Sequence, residues 1–347
     1  MDFGEITKKQ GGFMGNLLEV RNLSVSFDTP EGEIQAVRNV SFALGEGEIL
    51  AIVGESGCGK SVLCKSILKL LPDIARIKNG QILLENTDIT NFRDADMRRL
   101  RGRVFSMVLQ DPMTALNPAM TIGAQIEEAV RVHGKAPKNA RRDRVRELLT
   151  LTGLQETDAG RFPHMLSGGQ RQRAVLAAAL AGNPKILFAD EPTTALDVTI
   201  QAQVLELMSN LKEELGTSLL LITHDLGVVA QVCDRVAIMY GGEIVESGTI
   251  AEVFDHPHHP YTIGLFGSIP TLDETVDKLK PIQGQMPDPT ILPEGCAFAP
   301  RCPYASEVCR HTKPETVCAG GGHRVRCLAH QGAFQSPELM EEVRRGR

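Results

Sequence analysis

The stretch Gly54–Ser61, GESGCGKS, constrains the fold more than any other part of the chain. It lies between EILAIV, an apolar run of strand length, and SVLCKSILKLL, whose apolar residues recur at helical spacing. Glycines at 54, 57 and 59 let successive N–H groups turn into one concavity. The helix that follows directs its positive end at the same point. Such a cradle fits a phosphate. Lys60 adds a mobile positive charge for β- and γ-phosphates, and the Ser61 hydroxyl can ligate Mg²⁺. Glu55, Ser56, Gly57, Cys58 and Gly59 supply the backbone between. The G-x4-G-K-[ST] spacing, set between strand and helix, places the chain among α/β nucleotide-binding folds.

Strands and helices alternate again further on. KILFAD (Lys185–Asp190) and LLLITHD (Leu219–Asp225) read as strands around the helix IQAQVLELMSNLKEEL, a βαβ arrangement that predicts a parallel sheet. Upstream, LLEVRNLSVSF (Leu17–Phe27) alternates as a strand, and VRNVSFALGEGEILAIVG continues with short strands broken at Gly-Glu-Gly. The pattern over about 120–180 is mostly helical, and RVAIMYGGEIVESG (Arg235–Gly248) reads as two strands around Gly241-Gly242. After about residue 255 the character changes. DHPHHPYT leads into proline-rich, irregular sequence and then cysteines, so a domain boundary is expected there. Residues 1–16 are polar and read as a loose leader, which makes Met14 an alternative start to Met1.

A chain of 347 residues has room for two or three domains. Its net charge of −6 gives no electrostatic reason to expect a nucleic-acid partner, and RRLRGR and RRDRVR read as solvated helix faces or loops. No apolar run approaches the roughly 20 residues that a membrane helix needs. MDFGEITKKQGGF lacks the hydrophobic block of a secretory signal. The reducing cytoplasm is therefore the expected compartment, which argues against a disulfide framework.

Two more motifs carry chemistry. Asp190 ends the strand KILFAD, where a carboxylate can hold the Mg²⁺ shell from across the sheet, and Glu191 beside it can orient and polarise an attacking water. LSGGQRQR (Leu166–Arg173) sets a serine and two glycines before a helical pattern, a second anion-accepting helix start about 105 residues beyond the first.

With its motifs in this order, the sequence resembles the ATP-binding cassette (ABC) ATPases over roughly residues 18–250. The resemblance implies an α/β fold: an ABC-type P-loop ATPase core with a RecA-like parallel sheet, an antiparallel β subdomain and a helical signature subdomain. The expected division is a flexible leader at 1–16, the ATP-binding domain at 17–254 with its helical subdomain at roughly 111–180, a C-terminal extension at 255–335, and a tail at 336–347. It implies a glutamine loop, VLQDP with Gln110, and a signature at Leu166, Ser167, Gly168, Gly169 and Gln170. It further implies a D-loop, TALD with Asp197, and a switch histidine, His224 in ITHD. In such proteins a dimer closes on two ATP molecules, each between one subunit's phosphate loop and the other's signature. Glu191 would be the general base. His224 would contact the γ-phosphate, Gln110 would sense Mg²⁺ and the attacking water, and Ser61, Gln110 and Asp190 would hold Mg²⁺. Phe27 stands where this family stacks adenine on a ring, with a core phenylalanine as the alternative.

DPMTALNPAMTIGAQIEEAV, DEPTTALDVTIQAQVLELM and HPHHPYTIGLF together resemble the ATPase subunits of dipeptide and oligopeptide importers, and this resemblance runs into the C-terminal extension. It implies an ATPase on the cytoplasmic face of the membrane, seated on two permease subunits. It also implies pairing with a distinct second ATPase and supply by an extracytoplasmic peptide-binding protein. Nickel and metallophore importers use very similar cassettes and are the alternative; a soluble ABC ATPase is a more distant one. GCAFAPRCPYASEVCR and HRVRCL match the cysteine pattern of these extensions at Cys296, Cys302, Cys309 and Cys327. The resemblance implies a 4Fe–4S cluster, with zinc, free thiols and disulfides as alternatives. Cys318, in the loop-like ETVCAGGG, is left outside this set, and Cys58, Cys64 and Cys233 read as small packing residues.

Overall fold

The computed structural model describes residues 16–133, 137–193, 197–268 and 282–346. The leader up to residue 15, with both candidate start methionines, lies outside the described residues, as do Thr194, Ala195 and Leu196 of TALD. In chain order the strands are β1 (Leu18–Thr29), β2 (Gly32–Leu44), β3 (Ile49–Val53), β4 (Ala75–Leu84), β5 (Thr87–Asp88), β6 (Phe105–Val108), β7 (Ile186–Asp190), β8 (Ser218–Thr223), β9 (Arg235–Tyr240), β10 (Glu243–Thr249), β11 (Val317–Gly320) and β12 (His323–Val325). They form a four-stranded antiparallel sheet, β2-β1-β4-β5, and an eight-stranded sheet, β11-β12-β10-β9-β3-β8-β7-β6. From β6 to β9 every neighbouring pair in the larger sheet is parallel, and from β9 outward to β11 every pair is antiparallel.

Every residue of β3, β7 and β8 is buried. Strands covered on both faces read as unbroken apolar runs, which is why ILAIV and SLLLIT carry no polar alternation. The period of two still decides which core each residue joins. Ile186 and Phe188 of β7 face a cluster shared with the antiparallel sheet and the phosphate-loop helix (Lys60–Ile67). Leu187 and Ala189 face a second cluster built from the helices Ile122–His133, Arg141–Leu151, Gly168–Ala179 and Val198–Leu215. The phosphate loop and the LSGGQ helix therefore rest on opposite faces of one sheet. Helix Val198–Leu215 stops where Gly216 turns left-handed at φ 64°.

The C-terminal residues depart from their loop-like reading. PYTIGLFG is a helix (Pro260–Gly267) with Pro260 at its first position and the buried His259 capping the Tyr261 amide. ETVCAGGG is not a loop throughout: Val317–Gly320 is the strand β11. Ala319 and Gly320 are poor strand formers, and their extended shape comes from pairing with β12, which pairs in turn with β10. The extension is thus hydrogen-bonded into the core sheet. None of the described helices is long and apolar enough to cross a membrane.

Candidate functional site

The phosphate loop leaves β3 and enters the helix Lys60–Ile67. Gly59 caps that helix at φ 106°, and a Cβ there would lie 2.2 Å from the Ala36 carbonyl oxygen, so only glycine fits. Ser56 and Gly57 are exposed at the tip, whereas Cys58, Gly59 and Lys60 are buried beneath it. The Lys60 ammonium donates to the carbonyls of Gly54 at 2.7 Å and Glu55 at 3.0 Å. Cys58 packs under the loop with its thiol raised by burial, and Cys64 is likewise buried on the helix. Both match their reading as packing residues.

Asp190 ends β7, and Ser61 Oγ donates to its Oδ1 at 2.9 Å. The carboxyl is buried, which pushes its pKa up, while the Ser61 hydrogen bond pulls the other way. Glu191 follows in the left-handed region, at φ 48°. Its N–H donates to the Ile222 carbonyl of β8, so the sheet holds it in a conformation that non-glycine residues avoid. That turn aims the carboxylate at two side chains named by the motif order. Gln110 Nε2 donates to Glu191 Oε2 at 3.0 Å, across 81 residues, and His224 Nδ1 lies 3.4 Å from Glu191 Oε1. Gln110 lies just beyond β6 and His224 just beyond β8, the strands flanking β7. The C-terminal ends of three neighbouring parallel strands thus bring Glu191, Gln110 and His224 together, the usual place for a site in such a sheet.

The LSGGQ segment forms a separate feature. Ser167 is the N-cap of helix Gly168–Ala179, and Gln170 completes a capping box: Ser167 Oγ accepts from the Gln170 N–H at 3.3 Å, and Gln170 Oε1 accepts from the Ser167 N–H at 3.0 Å. First-turn amides such as those of Gly168 and Gly169 have no intrahelical acceptor. Ser167 and Gly168 are exposed while Leu166 and Gly169 are buried. A Cβ on Gly169 would come 2.4 Å from Ile200 Cγ2, on the helix that Asp197 caps through the Ile200 N–H. Phe27 is half-buried in β1, paired with Ile34 and Ala75 in the antiparallel sheet.

All eight cysteines are free thiols. Cys296, Cys302, Cys309 and Cys327 line one small apolar pocket with Phe298, Leu328 and Phe334, whereas Cys318 is exposed on β11 outside it. Burial raises the Cys302 and Cys327 thiols and lifts Cys296 to about 11. Among the described residues, no three His, Cys, Asp or Glu side chains are placed to share one metal ion. Two contacts on the phosphate loop have no local sequence signal: Tyr261 and Arg301, from beyond residue 255, both reach Glu55.

Comparison with known proteins bears on the same segments. A family model described as "ABC transporter" matches residues 37–194, and one described as "Oligopeptide/dipeptide transporter, C-terminal region" matches residues 245–309. The dipeptide transport ATP-binding protein DppD of Bacillus subtilis (strain 168) is 51% identical over 317 residues, covering 90% of this chain and 95% of the relative. The oligopeptide transport ATP-binding protein OppD of the same organism is 50% identical over 332 residues, covering 94% and 93%. A solved dimer of the ATP-binding cassette MJ0796, in a post-hydrolysis state bound to ADP and Pi, superposes with a TM-score of 0.60 at 30% identity, covering 67% of this chain and 98% of that one.

Proposed function

The chain belongs to the ABC transporter ATP-binding subunits of the dipeptide/oligopeptide group, and we propose that it hydrolyses ATP at a site completed by a second ATPase, so driving uptake of di- and oligopeptides through two permease subunits. The observation that carries this is the meeting of Gln110 and His224 on the Glu191 carboxylate, beside the Ser61–Asp190 pair.

In this reading Gly54–Ser61 wraps the β-phosphate, Lys60 turns its ammonium from the loop carbonyls to the β- and γ-phosphates, and Phe27 stacks on adenine. The Ser61 hydroxyl and the Asp190 carboxylate, already adjacent, suit a hard divalent cation with oxygen ligands, and Gln110 joins them. Bound Mg²⁺ would supply charge neutralisation between the β- and γ-phosphates. Glu191 accepts a proton from the water that attacks the γ-phosphorus, and the bond to the ADP oxygen breaks. His224 holds the γ-phosphate oxygens as charge develops on them. Leu166, Ser167, Gly168, Gly169 and Gln170 act on the nucleotide of the opposing subunit, with Asp197 at the same interface. The chain sits on the cytoplasmic face of the membrane, is divided near residue 255, pairs with a distinct ATPase and is served by an extracytoplasmic peptide-binding protein.

We read the four cysteines that line one pocket as the ligands of a 4Fe–4S cluster, which takes one thiolate per iron. Its part would be to staple a short, proline-rich segment. Protein purified without oxygen is expected to carry about four irons and four sulfides per chain, and Cys302→Ser to lose most of both. Zinc in their place, or metal-free protein, would refute the cluster.

Uptake assays in a strain lacking this chain test the transport reading. Import of labelled di-, tri- or oligopeptides is expected to fall to background while ⁶³Ni²⁺ uptake is unchanged. Intact peptide uptake with lost nickel uptake would instead favour a nickel or metallophore importer.

A further inference from the structure

The phosphate loop is held from outside the cassette, at a single peptide unit. The Gly54 carbonyl accepts from Lys60 Nζ, and the N–H of that same peptide, on Glu55, donates to Tyr261 Oη at 3.0 Å. Burial raises the Tyr261 phenol, so the ring stays neutral. The Glu55 side chain is gripped as well: Arg301 Nη1 donates to its Oε2 at 2.9 Å. The Arg301 side chain is 6% exposed, and its remaining donors reach the Gln283 and Ile282 carbonyls and Tyr240 Oη. Its guanidinium lies 5.7 Å from the Tyr240 ring centre, and the Tyr240, Tyr261 and Phe298 rings pack on one another with centroids 4.6–5.5 Å apart. Met286 lies beside the loop tip, its Cε 3.5 Å from where a Cβ on Gly57 would stand, and the Pro289 carbonyl accepts from the Gln35 N–H. Tyr261, Arg301, Met286 and Pro289 all lie beyond residue 255. Arg301 ends a 3-10 turn between Cys296 and Cys302.

We propose that Tyr261 and Arg301 are positioning residues for ATP: the C-terminal extension sets the Gly54–Glu55 peptide and so the conformation in which the loop receives phosphate. This rests on reading Gly54–Ser61 as the ATP site. A peptide held by Lys60 at one end and Tyr261 at the other cannot flip without losing both bonds. Lys60 turns to the phosphates when nucleotide enters, and Tyr261 then keeps the peptide in place. The Arg301 guanidinium has only the Glu55 carboxylate as a close anionic partner among the described residues, so the pair acts as a unit. The extension thereby becomes part of the ATPase rather than an appendage to it.

The test uses the full chain with its permease and partner ATPase. It measures steady-state hydrolysis and equilibrium binding of radiolabelled ATP. Tyr261→Phe removes one oxygen and keeps the ring. It is expected to raise KM for ATP about 3–10-fold, the value of one hydrogen bond, with kcat changed less than about twofold. Arg301→Met keeps the aliphatic stem and is expected to raise KM by about tenfold or more, with Arg301→Lys recovering part of the loss. Glu55→Gln combined with Arg301→Met is expected to be no worse than Arg301→Met alone. Lys60→Ala serves as the reference and is expected to abolish binding. If Lys60→Ala abolishes binding but Tyr261→Phe and Arg301→Met, folded by circular dichroism, bind ATP like the parent, the brace is refuted and the site stands. Additive effects of the Glu55 and Arg301 changes would also refute it. If Lys60→Ala binds normally, the site reading falls and the brace with it.

Discussion

Glu191→Gln is expected to stop turnover while leaving ATP bound. The substitution keeps the shape of the side chain and its left-handed backbone position, and Gln110 still has an oxygen to bond. What it loses is the ability to take a proton from water. Loss of a positioned general base costs about 10²–10⁴ in rate, or roughly 3–5.5 kcal/mol in the barrier. Because the phosphate loop, Lys60 and the Ser61–Asp190 pair are untouched, nucleotide affinity is expected to stay within about threefold of the parent, or about 0.65 kcal/mol. The variant should therefore accumulate in its ATP-bound, paired form. Single-turnover measurement of phosphate release checks this. Hydrolysis at the parental rate would show that another group activates the water and that the convergence of Gln110 and His224 on this carboxylate serves some other end.

Ser167→Arg is expected to abolish hydrolysis by a different route. Ser167 is exposed at the start of its helix and lies on the sheet face opposite the phosphate-loop helix. In the proposed shared site an arginine there would fill the space that a partner's γ-phosphate enters. It also loses the capping hydroxyl, which costs about 0.5–2 kcal/mol of stability. Turnover is expected to drop by about 10²–10³-fold, the scale of losing one preorganised anion donor. ATP binding to the variant's own phosphate loop should persist. Ser167→Ala separates the two contributions, since it loses the cap but keeps the space and the backbone donors, and it should retain much more activity than Ser167→Arg. Equal loss in both variants would assign the effect to helix stability and remove the signature from the catalytic unit.

How far the chain can be read from its sequence follows from how local each feature is. The phosphate loop is legible because glycine spacing, lysine and serine all act within one turn. Asp190 and Glu191 are legible because they end an apolar run that must be a buried strand. The LSGGQ helix start is legible from its capping pattern. The convergence of Gln110 and His224 on Glu191 is different: neither residue is marked by its own neighbours, and only the order of motifs pointed to them. The strained backbone of Glu191 had no sequence signal, because it arises from a hydrogen bond to Ile222 on an adjacent strand. The strand at Val317–Gly320 was hidden for a similar reason, since the run Gly320-Gly321-Gly322 says loop and only the open edge of β10, extended by β12, makes it extended. The Glu55 contacts of Tyr261 and Arg301 span 206 and 246 residues and have no local pattern at all.

One nucleotide pocket is proposed to be shared between two subunits. Light scattering of the Glu191→Gln chain with its partner ATPase, with and without Mg-ATP, measures this directly. The mass is expected to rise from that of single subunits to that of a pair when ATP is added, to fall back when ATP is removed, and to stay at the single-subunit value when Ser167→Arg is added to the same chains. Tight ATP binding with no change in mass, or pairing that Ser167→Arg leaves intact, would show that the pocket is not shared.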